Sequence, residues 1–156
     1  MSKTIGVLGC GWLGTPLAET LLASGNRVRG STTRKEKINS LSGKGIDAFL
    51  LRLGDHEIEG NPEEFLEGLD CLVVNIPPGI RRDPKADFMS RNRLVETYLQ
   101  KAAIPHLVFV SSTSVYGASQ GSVTEADHPL PDSQTGEQLL QAENILLENT
   151  ARTTQI

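Results

Sequence analysis

The run Thr4-Ile5-Gly6-Val7-Leu8-Gly9-Cys10-Gly11-Trp12-Leu13-Gly14 decides the fold. A short apolar stretch leads into three glycines at GxGxxG spacing, and an amphipathic segment from Leu13 to Leu22 follows and stops at Gly25. Strand, tight turn and helix N-terminus therefore come in the order that a dinucleotide site needs. The first glycine permits the turn, the second lets backbone N–H groups approach a pyrophosphate, and the third lets helix and strand pack closely. A GxGxxG string alone reads equally well as a glycine-rich turn. Its place directly after an N-terminal strand points to a nucleotide held by Gly9, Gly11, Trp12, Leu13 and Gly14.

The second strand, Arg27 to Thr32, bears on which dinucleotide. An NAD site of this type places an Asp or Glu near its end to bind the ribose 2′-OH. Here Ser31-Thr32-Thr33-Arg34 stands there, followed by Lys35, with no acid until Glu36. A 2′-phosphate is best met by several donors and a guanidinium that forks onto its oxygens. Ser31, Thr32 and Arg34 are thus expected to select NADP, with NAD as the other candidate. The plainer alternative is that Arg34 and Lys35 merely open a solvated helix.

Strand-like and helix-like segments alternate through the rest of the chain. A short helix is expected near Glu36 to Leu41. Asp47-Ala48-Phe49-Leu50-Leu51 reads as a strand covered on both faces. Pro62 to Leu66 opens like a helix, with proline and acids in its first turn. Cys71 to Ile76 is a strand ended by Pro77-Pro78-Gly79, Phe88 to Ala103 a long helix, His106 to Ser111 a fifth strand, and Gly136 to Asn149 a last helix. Short connections between such units give an α/β fold, a doubly wound parallel sheet in three αβα layers. The one loop-rich segment, Gly117 to Ser133, follows a strand C-terminus, where ligands bind in open α/β sheets. Thr153-Thr154-Gln155-Ile156 reads as the opening of a sixth strand cut short, so residues 1–156 are expected to be the N-terminal part of a longer protein.

Composition narrows the function further. The 156 residues suffice for one domain's core, and a net charge of −4 without a Lys/Arg block argues against nucleic acid or an anionic membrane as partner. No apolar run approaches the roughly 20 residues of a membrane span. Met1-Ser2-Lys3 leads straight into the first strand, and Cys10 and Cys71 suggest no disulfide framework, so a cytoplasmic protein is expected. Asp70, His56 and His106 have no metal-ligand spacing with other candidate ligands.

Phe109-Val110-Ser111-Ser112-Thr113-Ser114-Val115-Tyr116-Gly117 resembles the SS-x-x-VYG strand end of the extended short-chain dehydrogenases/reductases, which include nucleotide-sugar epimerases and dehydratases. Gly9 to Ala18, Gly45-Ile46-Asp47 with Leu50-Leu51-Arg52, and the Ser111–Gly117 segment are similar to the atypical YeeZ-like branch of that group. The resemblance covers essentially the whole chain. It implies an NAD(P)-binding Rossmann domain that normally continues into a smaller substrate domain. It also implies cofactor contacts from Asn75, Ile76 and Pro77 after the fourth strand, and from Leu53 or Asp55 near the adenine. Arg81-Arg82-Asp83-Pro84-Lys85 reads either as a substrate-phosphate contact or as an exposed loop.

Two departures from the family stand out. Leu8 occupies the first glycine position of the usual GxxGxxG. More seriously, the family moves a substrate proton with a Ser/Thr, a Tyr and a Lys four residues after that Tyr. Ser112 falls on the first of these positions. Aligning Glu143 with the family acid places the Tyr position on Thr135 and the Lys position on Leu139. Of the two tyrosines, Tyr98 lies on the core face of the long helix and Tyr116 has Gln120 four residues on. Two functions follow. One is an NADP-dependent oxidoreductase or epimerase-like protein using Ser112, with Tyr116, Glu125 or His128 as substitute, on an unidentified nucleotide-sugar-like molecule. The other is a non-catalytic module that senses NADP(H).

Overall fold

The computed structural model describes residues 2–77, 87–148 and 152–156. Strands β1 (Thr4–Leu8), β2 (Arg27–Thr32), β3 (Asp47–Leu50), β6 (Cys71–Val74), β7 (His106–Phe109) and β8 (Thr153–Gln155) form one sheet in the order β3-β2-β1-β6-β7-β8. Every pairing in it is parallel, with Val7 opposite Gly30 on one side and Val73 on the other. The winding reverses at β1: β2 and β3 extend the sheet one way, β6 to β8 the other. A crevice opens at such a reversal, above the strand C-termini.

Side-chain alternation along β1 builds two cores. Val7 joins Val28, Cys10, Ala18, Leu41 and Ile46 under helices α1 (Gly14–Ala23) and α2 (Ile38–Ser42). Leu8, with Leu72, Val74 and Phe109, faces the opposite side. There α3 (Pro62–Leu66), α4 (Phe88–Ala102) and α5 (Gln134–Leu147) contribute Phe65, Leu99 and Leu146. Helices on both faces make this a three-layer, doubly wound Rossmann-like sheet, as the alternating pattern predicts.

One strand differs from expectation. β3 is an edge strand rather than one covered on both faces; Asp47 and Leu50 are exposed, and Ala48 and Phe49 only half-buried. Its apolar run is instead divided: Leu51, just beyond the strand, turns into the core. The chain then makes a small antiparallel hairpin, β4 (Arg52–Leu53) and β5 (Ile58–Glu59), which the sequence pattern did not reveal. Each strand is two residues long, too short for any periodicity to register. The segment Gly117–Ser133 also holds more order than its composition suggests. Gln120 accepts from the N–H groups of Gly117 and Leu130 through Oε1 and donates to the His128 carbonyl, and Ala118 N–H donates to Asp132.

Three helices start on a side chain that accepts from their first turn: Asn61 for α3, Asp87 for α4 and Ser133 for α5. At Asp87 the hydrogen bonds from Ser90 hold the carboxyl below its ordinary value of 3.8. Arg29 closes the other end of α3, donating to the carbonyls of Glu64, Phe65 and Glu67. Across the second core, Arg152 reaches from the approach to β8 to Glu96 on α4. The pair is buried, with Nη1 2.9 Å from Oε1, Nη2 meeting Oε2, and Nη2 also donating to the Leu146 carbonyl. Removing Arg152 takes the guanidinium away from a buried carboxylate, which Gln100 also contacts. Arg152→Ala should therefore cost about 3–5 kcal/mol in urea unfolding.

Candidate dinucleotide site

The site begins where β1 ends. Gly9 has φ +109°, a conformation that favours glycine, and a Cβ there would lie 2.3 Å from the Asn75 carbonyl. Its N–H donates to Ser31 Oγ at 2.9 Å and its carbonyl accepts from Asn75 Nδ2 at 3.1 Å. Cys10 N–H then donates to the Ser31 carbonyl at 2.7 Å, while Asn75 N–H donates to that of Leu8. The turn is thus fastened to β2 on one side and to the end of β6 on the other. Gly14 completes it: a Cβ there would lie 2.1 Å from the Gly9 carbonyl, so only glycine lets α1 start this close to the strand.

Gly11 is different. Its φ is not positive and a Cβ on it would meet no atom within 4 Å beyond its two chain neighbours. Nothing in the protein requires glycine there; the requirement is open space beside the backbone. That space adjoins the N-terminus of α1, whose cap position is Leu13, with no side-chain acceptor and no acid in the first turn. Thr15 N–H donates to the Gly11 carbonyl and Pro16 has none, so the N–H groups of Trp12, Leu13 and Gly14, with the positive end of the helix dipole, are what such a place offers a phosphate. A pyrophosphate fits the residues present.

The predicted residues fall around this cradle as follows. Ser31 and Thr32 are buried and their oxygens accept from Gly9 and Arg34 N–H, so both shape the loop, each keeping one hydroxyl proton to donate. Thr33 and Arg34 are exposed beyond them, the Arg34 side chain with no protein partner among the described residues. Asn75 gives its amide to Gly9, with Ile76 half-buried and Pro77 exposed beside it; Pro78, Gly79 and the Arg81–Lys85 loop lie outside the described residues. Leu53 is half-buried in β4. Asp55, at the hairpin tip, is held by Arg91 Nε of α4 at 2.7 Å. Trp12 is the most exposed large apolar side chain described. The Cys10 thiol is buried beneath the loop, where a Cβ on Gly30 would come 2.6 Å from its sulfur. Burial outweighs the pull of Lys37 and the Ser31 hydrogen bond and raises its pKa from 9.0 to about 11, so it stays a neutral thiol. Gly30 was readable in the sequence as a glycine inside a strand, a mark of close approach.

The catalytic candidates lie after β7. Ser112 is exposed, and its Oγ accepts from Ser114 N–H at 3.2 Å and lies 3.1 Å from Ser114 Oγ, which leaves the Ser112 hydroxyl able to donate. Tyr116 is half-buried and packs against the larger core. Thr135 is half-buried in the first turn of α5, and Leu139 is buried within the core. Glu125 and His128 are exposed on the loop. Glu143, aligned above with the family acid, is buried and accepts from Ser111 Oγ.

A family model for the NAD binding domain of 6-phosphogluconate dehydrogenase matches residues 4–124. The chain belongs to this NAD-binding family. Protein YeeZ of Escherichia coli strain K12 is 35% identical over 147 residues, 92% of this chain and 53% of that protein. The chain therefore spans about half the length of the curated relatives it matches. Among solved structures, a short-chain dehydrogenase/reductase superfamily protein from Agrobacterium tumefaciens with bound NAD superposes with TM-score 0.76 at 22% identity, over 97% of this chain and 47% of that one. The UDP-N-acetylglucosamine 4-epimerase from Bacillus cereus gives 0.69 at 22% identity, over 92% and 53%. These two establish the shared fold. The family match makes residues 4–124 an NAD-binding domain, and the open space at Gly11 lies within it.

Gly11→Ala separates ligand space from protein packing. It should leave stability unchanged or raise it by about 0.4–1 kcal/mol, since the chain has room for the methyl group. In calorimetric titration it should weaken nicotinamide dinucleotide binding about tenfold or more, a loss of roughly 1.4 kcal/mol.

Proposed function

We propose that residues 1–156 form the cofactor-holding domain of an epimerase-, dehydratase- or reductase-like protein of the cytoplasm. It takes NADP in preference to NAD and acts on a hydroxyl or keto group of a nucleotide-sugar-like small molecule. The observation that carries the cofactor reading is the open space at Gly11 beside an uncapped helix N-terminus. Gly9, Gly11, Leu13 and Gly14 would hold the pyrophosphate. Asn75, Ile76 and Pro77 would pass the nicotinamide ribose, and Leu53 would border the adenine.

The NADP preference rests on the end of β2. Arg34 is exposed there without a protein partner among the described residues, and no carboxylate precedes Glu36 at this strand end to accept a ribose 2′-OH. A guanidinium in that position suits a 2′-phosphate dianion. When bound, the cofactor would supply or accept a hydride; Ser112, with its hydroxyl able to donate, would hold the substrate oxygen. The substrate domain would come from residues other than these 156, in keeping with the chain's match to about half of its relatives' length.

A second reading, a module that senses NADP(H) without turnover, is favoured by one observation: Leu139 is a buried core residue where the family places a cation. Two measurements decide between these. Arg34→Ala should weaken NADP⁺ by about 1.5–3 kcal/mol, the range for hydrogen bonds to charged groups, and leave NAD⁺ nearly unchanged. Equal losses for both would remove the preference. For turnover, the full-length protein would be followed with NADPH and a panel of nucleotide sugars. Turnover abolished by Ser112→Ala supports the enzyme, and tight NADPH binding without turnover on any of them supports the sensor.

A further inference from the structure

The hairpin β4–β5 is fastened to the rest of the fold at its base and at its tip. At the base, Leu51 N–H donates to the Thr32 carbonyl at 3.0 Å, and Gly60, with φ +108°, sits so close to the Leu50 carbonyl that a Cβ would lie 2.3 Å from it. At the tip, Asp55 accepts from Arg91 Nε of α4 at 2.7 Å, the one side-chain bond from the tip to another element among the described residues. The hold in between is weak. Each strand has two residues, and so short a ribbon is marginal by itself. The Arg52–Glu59 pair within it is 3.6 Å long and well exposed, so it adds little. Leu53 and Ile58 pack on the larger core, but beneath Ile58 lies a small apolar cavity that Leu8, Leu51, Val95 and Tyr98 also line. A void of this kind forfeits contacts that a filled core would supply. Asp55 and Arg91 are both partly buried, so their bond is screened less than a surface pair.

These two fastenings set where the hairpin lies. Its base hangs from Thr32, the last residue of β2, whose Oγ1 also takes the Arg34 N–H. Its tip is fixed to α4, which follows β6 on the other side of β1. The ribbon therefore runs past the C-terminal end of β1, in keeping with the cavity that Ile58 shares with Leu8. Leu8 immediately precedes Gly9 and faces away from the core that Val7 forms under α1. Where the chain turns at Gly9, α1 thus stands on one face of the sheet and the hairpin on the other. A dinucleotide with its pyrophosphate at Gly11 and its adenosine half toward Arg34 would have the hairpin beside that half.

We infer that Arg91 is a positioning residue for the adenosine half of the dinucleotide. Through Asp55 it holds the hairpin in place as the wall beside that half, without touching the ligand itself. The inference rests on the dinucleotide reading above. Arg91 stands 36 positions beyond Asp55, so the wall is set by α4 and not only by the strand from which it springs. With the latch open, the wall is in place for only part of the time, and apparent affinity falls by that fraction.

The test pairs calorimetric titration with hydrogen exchange on the wild type, Arg91→Met and Arg91→Lys. The ligands are NAD⁺ and ADP, which lacks the nicotinamide half, with NADP⁺ and 2′,5′-ADP run in parallel so that the outcome does not depend on the 2′-phosphate. Exchange is read at Gly54, whose N–H donates to the Glu57 carbonyl across the tip. Arg91→Met keeps the apolar stem of the side chain and removes the donor. It should speed exchange at Gly54 and weaken whole and half ligands by one common factor. That factor is about threefold if the wall is then in place about a third of the time. Arg91→Lys should restore most of both, because the bond uses the single Nε and an ammonium reaches nearly as far. Faster exchange with unchanged affinity overturns the inference, and so does a loss confined to NAD⁺ and NADP⁺, which would place the effect at the nicotinamide end. Exchange at Gly54 unmoved by Arg91→Met overturns it as well, since the latch would then hold nothing. In each of these cases the dinucleotide reading stands. A wild type that binds none of the four ligands overturns both.

Discussion

The chain passes from strand to helix at Gly9, and that residue is gripped from both neighbouring strands. Ser31 of β2 takes its N–H and Asn75, just past β6, takes its carbonyl. These two hydrogen bonds tie the local turn to the global topology, because β2 and β6 are the strands on either side of the winding reversal. Gly14 stacks directly on the gripped carbonyl, so the start of α1 inherits its position. The loop is rigid because the sheet is, and the free space at Gly11 is what remains when everything around it has been fixed. A site assembled this way is preorganised for a diphosphate.

Much of this was legible in the sequence, and the exceptions have physical causes. β1, β2 and α3 have the bounds that their residues suggest, since a glycine turn, a charged-to-hydroxyl transition and a proline with acids each mark an end sharply. β3 was misjudged because Ala48-Phe49-Leu50-Leu51 is apolar throughout. Apolar content reports burial somewhere, and here Leu51 goes to the core while Leu50 stays exposed at the sheet edge. The hairpin β4–β5 is defined by one pairing and by Asp55 meeting Arg91, a contact between residues 36 positions apart that no local pattern encodes. Asn75 was singled out for its place after a strand; that its amide would hold Gly9 depends on a parallel register visible only in three dimensions.

The same separation of local and non-local information runs through the chemistry. Ser112 and Tyr116 belong to a contiguous motif, and so can be recognised. What they would work with must come from α5, whose first turns present Thr135 and a buried Leu139. Gly136 explains why α5 still docks there: a Cβ on it would lie 2.1 Å from the Ser114 carbonyl, so helix and strand-end segment meet backbone to backbone. Ser111 and Glu143 add a side-chain link between the same two elements. The segment after β7 and the first turns of α5 are therefore held together by both backbone packing and a side-chain bond.

Ser31 and Thr32 also bear on how a 2′-phosphate would be distinguished from a hydroxyl. Both are buried, and both oxygens already accept from the backbone, Ser31 from Gly9 and Thr32 from Arg34. Their contribution is largely to hold the loop and to set the backbone of Arg34. Discrimination then falls mainly on the exposed guanidinium, with Thr33 and Lys35 beside it. An exposed cation acts through water and is screened within about 10 Å at 0.1 M salt. A preference built on Arg34 would accordingly be strongest at low ionic strength and fade as salt is added, whereas a hold on the pyrophosphate by the Trp12, Leu13 and Gly14 N–H groups would fade much less. The two ends of one ligand would then be held by different physics, and the ratio of NADP to NAD affinity would fall with salt more steeply than the pyrophosphate's share.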